Sequence, residues 1–374
     1  MVYRVIGCMS GSSLDGLDIA FVELQENGGK WSYEIVNADC HPYTDDWMEK
    51  LRNAVSLQAF DYQLLHADYG HYIGNQINHF IDKHSLHYKV ALIASHGHTV
   101  FHSPAKRMTA QLGDGAAIAA ETNLPVVTDL RALDVALGGQ GAPIVPIGEK
   151  LLAGEHDYFL NIGGIANISG SSGDDADRWA FDVCPANRVL NMLANDAGQE
   201  FDEYGQIAST GEVNRQLLDN LNALEYYHLP YPKSLANDFG THTIYPLIKK
   251  EKIATNNALR TYVEHIAMQI KKAIMAAGHV FQPDGHGIQT PVLRMLITGG
   301  GAFNSFLVDR IRAHGGELGI EVVIPDEKLV KYKEALIMAF IGVLRWRQEY
   351  TVLSSVTGAT RDSIGGALWI GQEA

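Results

Sequence analysis

The chain has 374 residues, of which 46% are hydrophobic and 19% charged, a composition typical of a folded protein of about two domains. A formal net charge of −14, from 43 acidic and 29 basic residues, argues against nucleic acid and anionic membranes as partners. Three scattered cysteines, the lack of an apolar run long enough to span a bilayer and the lack of a targeting pattern in the first residues lead us to expect a cytoplasmic protein.

The chain opens on two apolar runs that flank residues 10–16, a segment of glycines, small hydroxyl residues and an aspartate. This pattern predicts a β-hairpin with a Gly-rich turn. Gly11 and Gly16 have the spacing of a P-loop, but a Leu-Asp pair stands where Lys and Ser or Thr would follow, and a strand comes next instead of a helix. The turn can nevertheless offer backbone N–H groups to phosphate oxygens and the Asp15 carboxylate to a cation.

Strand and helix patterns alternate after this hairpin, which predicts an α/β domain with helices on the faces of a sheet. Gly-Gly-Gln-Gly-Ala-Pro at residues 138–143 is the strongest interruption of the pattern. We therefore place a boundary here, between an N-terminal lobe of residues 1–140 and a C-terminal lobe of residues 141–374. In chain order, the patterns of the first lobe predict a strand at residues 33–40, helices at 45–57 and 60–84, a strand at 90–94, a helix at 115–122 and a strand at 125–128.

The strand-turn-strand pattern recurs at residues 157–169, around a Gly-Gly pair, and indicates an internal duplication at the level of structure. A later strand at residues 293–298 leads through three consecutive glycines into a helix. Such a turn suits a nucleotide, because a ligand can approach the helix N-terminus closely. Asn304 replaces the last glycine of G-x-G-x-x-G, so a dinucleotide fingerprint is not supported. The other patterns predict helices at residues 187–197, 213–224, 258–277, 305–313 and 331–347, and a loop at 354–360.

Several short motifs are distributed along nearly the whole chain. They are Met-Ser-Gly-Ser-Ser-Leu-Asp-Gly-Leu-Asp at residues 9–18, Ser-His-Gly-His-Thr-Val at 95–100, Gln-Leu-Gly-Asp at 111–114, Asp-Leu-Arg at 129–131, the interruption at 138–143, Asn-Ile-Gly-Gly-Ile-Ala-Asn-Ile at 161–168, Phe-Asp at 181–182, Thr-Gly-Gly-Gly at 298–301 and Lys-Glu-Ala-Leu at 333–336. In this order they resemble the anhydro-N-acetylmuramic acid kinases, a family of the actin, hexokinase and heat-shock chaperone ATPase superfamily. The resemblance implies an α/β, two-lobed actin/hexokinase-like fold. Each lobe would be a mixed sheet flanked by helices, with a central cleft and a last segment that returns to the hinge.

The resemblance also implies a homodimeric kinase that uses ATP and Mg²⁺, opens the 1,6-anhydro bridge of 1,6-anhydro-N-acetylmuramic acid and phosphorylates O6. The two hairpins would hold the phosphates, and the third glycine turn would hold the adenosine. The implied ATP contacts are Gly11, Ser12, Ser13, Leu14, Asp15, Gly16, Leu17, Asp18, Asn161, Gly163, Gly164, Gly299, Gly300 and Gly301. The implied contacts to the anhydrosugar are His96, Arg131, Asp182 and Glu334.

Asp182 is the candidate base for a water that attacks C1, since inverting cleavage of a glycosidic bond needs a carboxylate on the face opposite the leaving oxygen. Burial beside Trp179 and Phe181 would raise its pKa, and a hydrogen bond from a nearby donor would oppose that change. The alternative role is an N-terminal acid for the helix after Pro185. Asp15 is the candidate for holding Mg²⁺ through water or orienting the sugar O6, with Asp-Gly turn chemistry as the alternative.

Arg131 is a third candidate catalytic residue and follows a strand at the edge where α/β proteins bind ligands. Its guanidinium suits the lactyl carboxylate of N-acetylmuramic acid. An ion pair with Asp129 or Asp134 is the alternative. Glu334 is a candidate sugar contact, with a first-turn helix acid as the alternative.

His96, His98 and His102 alternate along one strand and so share a face, but no acidic or Cys ligand stands at a diagnostic spacing. We expect sugar hydrogen bonds or loop packing there, and no zinc site. Cys184 and Ala186 replace two glycines of the family pattern, and His98 replaces its usual Gln. These departures leave open a kinase for another anhydrosugar, such as levoglucosan. A second alternative is an ATP-gated binding or assembly protein of the same fold.

Overall fold

The computed structural model describes residues 1–11, 13–171, 178–231, 233–236, 238–277 and 292–371. The chain divides into two compact units: Met1–Gly154 together with Tyr332–Ala374, and Glu155–Lys331. In the described ranges, none of the helices combines the length and the apolar character that crossing a bilayer requires.

The strands of the described part are β1 (Val2–Ser10), β2 (Gly16–Asn27), β3 (Lys30–Pro42), β4 (Leu92–Ser95), β5 (His98–Ser103), β6 (Met108–Leu112), β7 (Val126–Thr128), β8 (Tyr158–Ile162), β9 (Ile165–Ser171), β10 (Arg178–Pro185), β11 (Leu293–Thr298), β12 (Ile320–Val323) and β13 (Ala367–Trp369). The α-helices are α1 (Asp45–Asn53), α2 (Ala59–Lys83), α3 (Gly115–Thr122), α4 (Ala132–Ala136), α5 (Pro146–Leu152), α6 (Asn187–Asn195), α7 (Gln206–Ser209), α8 (Arg215–Asn222), α9 (Tyr245–Lys250), α10 (Thr255–Ala276), α11 (Ser305–Gly316), α12 (Glu327–Trp346) and α13 (Ser354–Thr357).

A six-stranded sheet in the order β13-β7-β4-β1-β2-β3 forms the centre of the first unit. Strands β1, β2 and β3 pair antiparallel, β1, β4 and β7 run parallel, and β13 lies antiparallel to β7 at the edge. Apolar residues at helical spacing along α2, among them Tyr69, Ile73 and Ile77, share a buried core with Ile6 of β1. Because neighbouring strand residues point to opposite faces, Gly7 is directed away from this core and toward α12.

The second unit contains a five-stranded sheet in the order β10-β9-β8-β11-β12. Strands β8, β9 and β10 pair antiparallel, and β8, β11 and β12 run parallel. Helix α10 supplies much of the buried core, where Leu259, Val263, Ile266 and Ile270 cluster with Tyr158 of β8. These residues recur every three or four positions, as expected for one face of the helix predicted at 258–277.

The two sheets repeat one topology. The order β3-β2-β1-β4-β7 in the first unit corresponds to β10-β9-β8-β11-β12 in the second. In each unit the first strand pairs antiparallel with the second and parallel with the fourth. The predicted structural duplication is therefore confirmed, as is the prediction of mixed α/β sheets flanked by helices.

The compact units differ from the predicted division at residues 140 and 141, because Tyr332–Ala374 belongs to the first unit. Strand β13 pairs with β7, and α12 lies so close to β1 that a Cβ on Gly7 would be 1.9 Å from the Ala335 carbonyl oxygen. The helical pattern runs across the unit boundary without a break, although the backbone leaves helical values at Tyr332 (φ −116°, ψ 17°). The loop predicted at 354–360 is wrong in part, since Ser354–Thr357 is the short helix α13.

Candidate functional site

The first glycine turn joins β1 to β2 and presents an exposed carboxylate. Asp15 Oδ1 accepts hydrogen bonds from Ser13 Oγ at 2.6 Å and from Gly16 N at 3.1 Å. Leu14 has a φ of 60°, and its N–H donates to the Gly11 carbonyl at 3.5 Å. A Cβ on Gly16 would meet Cys40 Sγ at 2.6 Å, so the close approach of β3 requires glycine there. The predicted ATP contact Ser12 lies outside the described residues, and the predicted contact Leu17 has its side chain buried in the core.

Asp18 is half-buried on β2, opposite Met9 of β1 and Cys40 of β3. The pKa of Asp18 is raised to about 6, mainly by burial and also by the negative charges of Asp15 and Glu334, while a hydrogen bond with Cys40 opposes the rise. The structure therefore brings three of the predicted site carboxylates into one electrostatic neighbourhood. No group of three His, Cys, Asp or Glu side chains within the described ranges has the arrangement of a metal site. A Mg²⁺ ion that keeps most of its waters fits one exposed carboxylate such as Asp15.

A hydrogen-bond network of three side chains holds Ser10, the last residue of β1. Tyr43 OH donates to Ser10 Oγ at 2.8 Å and lies 2.6 Å from Tyr69 OH, and Ser10 Oγ lies 3.0 Å from His98 Nδ1. Burial lowers the pKa of His98 to about 4, so the ring is neutral at pH 7. His98 is thus a packing and hydrogen-bonding partner of Ser10, which is one of the two roles predicted for the histidine group.

Arg131 is held by a histidine and by the Gly-rich loop at 138–143. Its Nε donates to His96 Nε2 at 2.7 Å, and its Nη1 donates to the Gly141 carbonyl at 3.0 Å. Burial and the Arg131 charge lower the pKa of His96 to about 3, which leaves Nε2 free to accept. Burial also lowers the pKa of Arg131 to about 10, against the opposing charge of Glu334, so the guanidinium stays charged.

The carboxylates that were the alternative partners of Arg131 bond elsewhere. Asp134 is buried and accepts from Gly141 N at 2.7 Å and from Thr357 Oγ1 of α13 at 2.7 Å. Asp129 accepts from Thr128 Oγ1 at 2.9 Å. The predicted ion pairs of Arg131 are therefore absent from its described contacts, and Asp134 orders the loop whose carbonyl binds the guanidinium.

Glu334 is half-buried, close in sequence to the break of α12 at Tyr332. Helix α12 begins at Glu327, so Glu334 is not in its first turn. The preceding Lys333 forms a buried ion pair with Glu149 of α5, with Nζ and Oε1 3.0 Å apart. This pair anchors the backbone beside Glu334 within the first unit.

In the second unit the two remaining glycine turns lie against each other. Gly163 and Gly164 connect β8 to β9, and the Gly164 carbonyl accepts from Ala186 N at 2.8 Å. Gly299 has a φ of 80°, and a Cβ there would be 2.7 Å from the Asn161 side-chain oxygen. A Cβ on Gly301 would be 2.2 Å from Ile162 Cγ2. The chain needs glycine at these positions because the turn after β11 packs directly on the end of β8.

Gly300 begins a short 3₁₀ segment that leads into α11, as the strand-to-helix pattern predicted. A Cβ on Gly300 would have Asn187 Nδ2 of α6 at 3.7 Å, an ordinary contact distance, so this glycine is the least constrained of the three. The Asn187 side chain in turn donates to the Ile162 carbonyl at 3.1 Å. The predicted contacts Asn161, Gly163, Gly164 and Gly299–Gly301 are therefore neighbours in this unit.

Asp182 occupies a bulge of β10, where the pairing with β9 shifts between Asp182 and Cys184. Its Oδ1 accepts from Asn167 Nδ2, and its Oδ2 accepts from the backbone N–H of Leu235 at 2.8 Å. Its backbone carbonyl accepts from Tyr226 OH at 2.6 Å. Asp182 therefore does not serve as an acid at the start of α6, which begins at Asn187 without a side-chain cap.

Burial raises the pKa of Asp182, and the hydrogen bonds from Leu235 N and Asn167 oppose this rise. Trp179 packs on Phe181, the residue before Asp182, and Phe181 stacks on Tyr231 at a centroid distance of 5.3 Å. The net result is a half-buried carboxylate whose oxygens are oriented by donors and whose basicity exceeds that of an ordinary Asp.

Sequence reasoning missed the residues that surround Asp182. Tyr226 and Leu235 are 44 and 53 positions away along the chain. Asn167 belongs to a recognised motif, but its bond to Asp182 depends on the register between β9 and β10. None of these pairings has a local sequence signal.

Comparison with known proteins gives a consistent result. A family model described as anhydro-N-acetylmuramic acid kinase matches residues 3–371. The anhydro-N-acetylmuramic acid kinases of Hydrogenovibrio crunogenus and Francisella tularensis subsp. novicida are both 30% identical to this chain, over 97% of it and 97% of each relative. Among solved structures, a Schistosoma mansoni hexokinase complexed with glucose has 11% identity and a TM-score of 0.38, over 91% of this chain and 85% of the hexokinase. A TM-score of 0.38 is too low to support an inference about this chain.

Proposed function

This chain belongs to the anhydro-N-acetylmuramic acid kinase family, and we propose that it opens the 1,6-anhydro bridge of 1,6-anhydro-N-acetylmuramic acid with water while O6 receives the γ-phosphoryl group of ATP. The products are N-acetylmuramic acid 6-phosphate and ADP, and the reaction serves cell-wall recycling and amino-sugar catabolism. The observation that supports this best is Asp182, a half-buried carboxylate with a raised pKa that Asn167 and Leu235 orient.

Asp182 acts as the general base in this proposal. It takes a proton from the water that attacks C1 on the face opposite O6, as in inverting glycoside hydrolysis. Its raised pKa makes it a better proton acceptor than an exposed aspartate. The leaving O6 needs no proton from a carboxylic acid, since it ends as a phosphate ester.

The glycine turns are the proposed phosphate and adenosine contacts. Gly11, Ser13 and Gly16 of the first turn and Gly163 and Gly164 of the second offer small residues and backbone groups to phosphate oxygens. The turn Gly299–Gly301 leads into α11 and is the proposed adenosine contact. Asp15 would hold Mg²⁺ through water, and Mg²⁺ would supply charge neutralisation for phosphoryl transfer. Asp18 is the proposed further contact on β2 of the same hairpin.

Arg131 and Glu334 are the proposed sugar contacts of the first unit. The Arg131 guanidinium is charged and fixed by His96 and Gly141, so it is ready to bind a sugar oxygen or a phosphate oxygen without reorganisation. His96 contributes by orienting Arg131 through Nε2. Its Nδ1 donates to the Gly97 carbonyl oxygen at 2.9 Å, so both ring nitrogens have partners. We assign His96 a positioning role in place of a direct sugar contact.

The test is product analysis in ¹⁸O-labelled water with ATP, Mg²⁺ and 1,6-anhydro-N-acetylmuramic acid. We expect ATP-dependent formation of N-acetylmuramic acid 6-phosphate with the label at C1. We expect Asp182→Asn to fold normally and to lower kcat by about 10² to 10⁴-fold, because a general base is removed. A variant with near-full turnover would remove Asp182 from this role.

The alternative of a different anhydrosugar rests on Cys184 and Ala186. Both side chains are 0% exposed, so they offer no surface to a sugar. We therefore retain the N-acetylmuramic acid derivative as the substrate. Comparison of turnover with levoglucosan tests this choice. Rapid ATP hydrolysis without any sugar, or polymer formation on addition of ATP, would favour the binding or assembly alternative instead.

We also propose that the enzyme acts in the cytoplasm as a homodimer. Cys8, Cys40 and Cys184 are free thiols, as expected in a reducing compartment where ATP is abundant. Twofold assemblies are the commonest soluble oligomers. Light scattering after size-exclusion chromatography measures the oligomeric state directly.

A further inference from the structure

Lys233 lies in a short segment along the free edge of β10, next to the proposed base. The backbone N–H of Asp182 donates to the Lys233 carbonyl at 3.2 Å, and Leu235 N donates to Asp182 Oδ2 at 2.8 Å. Strand β10 is the edge strand of its sheet, so residues 233–235 cover the side of the strand that carries Asp182. The position of Lys233 is thus tied to that of Asp182 through the backbone.

The ammonium group of Lys233 is held by aromatic rings. Nζ lies 4.7 Å from the Tyr226 ring centroid and 5.9 Å from that of Phe181, and it donates to the Tyr226 carbonyl at 3.2 Å. Within the described part of the chain it forms no ion pair with a carboxylate, and the Asp182 oxygens bond to Asn167 and Leu235. A lysine ammonium has three N–H donors, so donors remain for a bound molecule. Burial lowers the pKa of Lys233, which is the expected effect on a desolvated cation that lacks an anionic partner.

We propose that Lys233 binds the lactyl carboxylate of the anhydrosugar and so selects for the N-acetylmuramic acid derivative. This inference rests on the proposed function, because it assigns a substrate group to a residue beside the proposed base. A partly desolvated cation on aromatic faces gains most from a carboxylate that it can bind by a charge-assisted hydrogen bond. Sequence reasoning assigned the lactyl carboxylate to Arg131, but two of the guanidinium nitrogens there already donate to His96 and Gly141.

The experiment compares two sugars with three variants. The first sugar is 1,6-anhydro-N-acetylmuramic acid, and the second is 1,6-anhydro-N-acetylglucosamine, which lacks the lactyl group. Lys233→Met removes the charge, and Lys233→Arg retains it. Lys249→Met is the matched control, since Lys249 lies 5.8 Å from the Tyr245 ring but pairs with Asp196 at 3.0 Å on the surface.

We expect Lys233→Met to raise KM for the lactyl sugar by about tenfold or more, the effect of losing a charge-assisted hydrogen bond. The value of kcat should change much less, and Lys233→Arg should restore most of the affinity. The KM or inhibition constant of the lactyl-free sugar should stay within about twofold, because that sugar has no anion for Lys233 to bind. Lys249→Met should match the wild type with both sugars.

Two results would overturn the inference. One is an unchanged KM for the lactyl sugar in Lys233→Met, and the other is an equal loss with both sugars, which would indicate a purely structural role. Thermal unfolding of each variant separates loss of folding from loss of binding, and Lys233→Arg supplies a second reading if the Met variant is unstable. Failure of the wild type to form any N-acetylmuramic acid 6-phosphate would instead contradict the proposed function itself.

Discussion

Asp18 of β2 in the first unit and Asp182 of β10 in the second are both half-buried aspartates, and burial raises the pKa of both. Their surroundings differ in kind. The negative charges of Asp15 and Glu334 help to raise the pKa of Asp18, whereas the oxygens of Asp182 are oriented by uncharged donors. Oriented oxygens suit proton abstraction, so of the two aspartates Asp182 is the better candidate base.

The pH dependence of kcat/KM tests the role of Asp182 at this scale. The base works only when deprotonated, so activity should fall as the pH drops through the pKa of Asp182. Because that pKa is raised, the fall should begin above the ordinary Asp range near about 4. Measurement between about pH 4 and pH 8 in the wild type and in Asp18→Asn separates the two groups, since the pKa of Asp18 is about 6. Disappearance of the acid limb in Asp18→Asn would assign it to Asp18 and contradict our expectation.

Helices α10 and α11 are joined by a cluster of charges around one carboxylate. Glu264 accepts from Arg310 Nε at 2.8 Å, from Arg260 Nη1 at 2.8 Å and from His314 Nε2 at 2.7 Å. Burial raises the pKa of Glu264, but these hydrogen bonds outweigh it and lower the pKa from 4.5 to about 2. Helix α11 begins after the Gly299–Gly301 turn, so this cluster fixes the helix behind the proposed adenosine contact.

Glu264→Gln should therefore destabilise the protein in a pH-dependent manner. A depressed pKa means that the carboxylate stabilises the folded state above the unfolded pKa of 4.5, and that this stability is lost as the pH falls toward 2. At pH 7 we expect the free energy of unfolding to drop by about 3 kcal/mol, since two arginines lose their partner. Denaturant titrations at several pH values measure this, and the difference from wild type should shrink in acid. Glu327→Gln, in an exposed pair with Lys331, should change little at any pH.

At the scale of the whole molecule, one unit is continuous in sequence and the other is assembled from the two ends of the chain. The first unit needs the end of the chain for β13 and for the part of α12 that packs on β1. Gly7 is the point of closest approach, with the Ala335 carbonyl oxygen 1.9 Å and the Ala339 nitrogen 2.7 Å from a Cβ built there. Backbone atoms cannot move aside as a flexible side chain would.

Gly7→Ala should destabilise the first unit by about 3 kcal/mol or more, because overpacking here displaces a helix. Hydrogen exchange should show faster opening of β1 and β4, while β8 and β9 of the second unit keep their protection. Gly316→Ala is the matched control, since nothing lies within 4 Å of a Cβ at that position. Equal loss of protection in both units, or a Gly7→Ala variant as stable as Gly316→Ala, would contradict the expectation.

The sequence alone determined part of the secondary structure and indicated the family. Periodicity located α2, local composition indicated α3 and β11, and glycines marked the turns, because these signals arise from residues close together in the chain. The order of the motifs predicted the family to which the comparisons assign the chain.

Only the tertiary structure decided how distant residues pair. His96 with Arg131, Asp182 with Leu235, and Gly7 with Ala335 are contacts between segments that no local pattern relates. They are set by strand register and by which helix covers which face of a sheet, and a one-residue change in register would remove them. The chemistry of the site depends on these contacts, since they determine which carboxylate is buried, which cation keeps free donors and which histidine stays neutral.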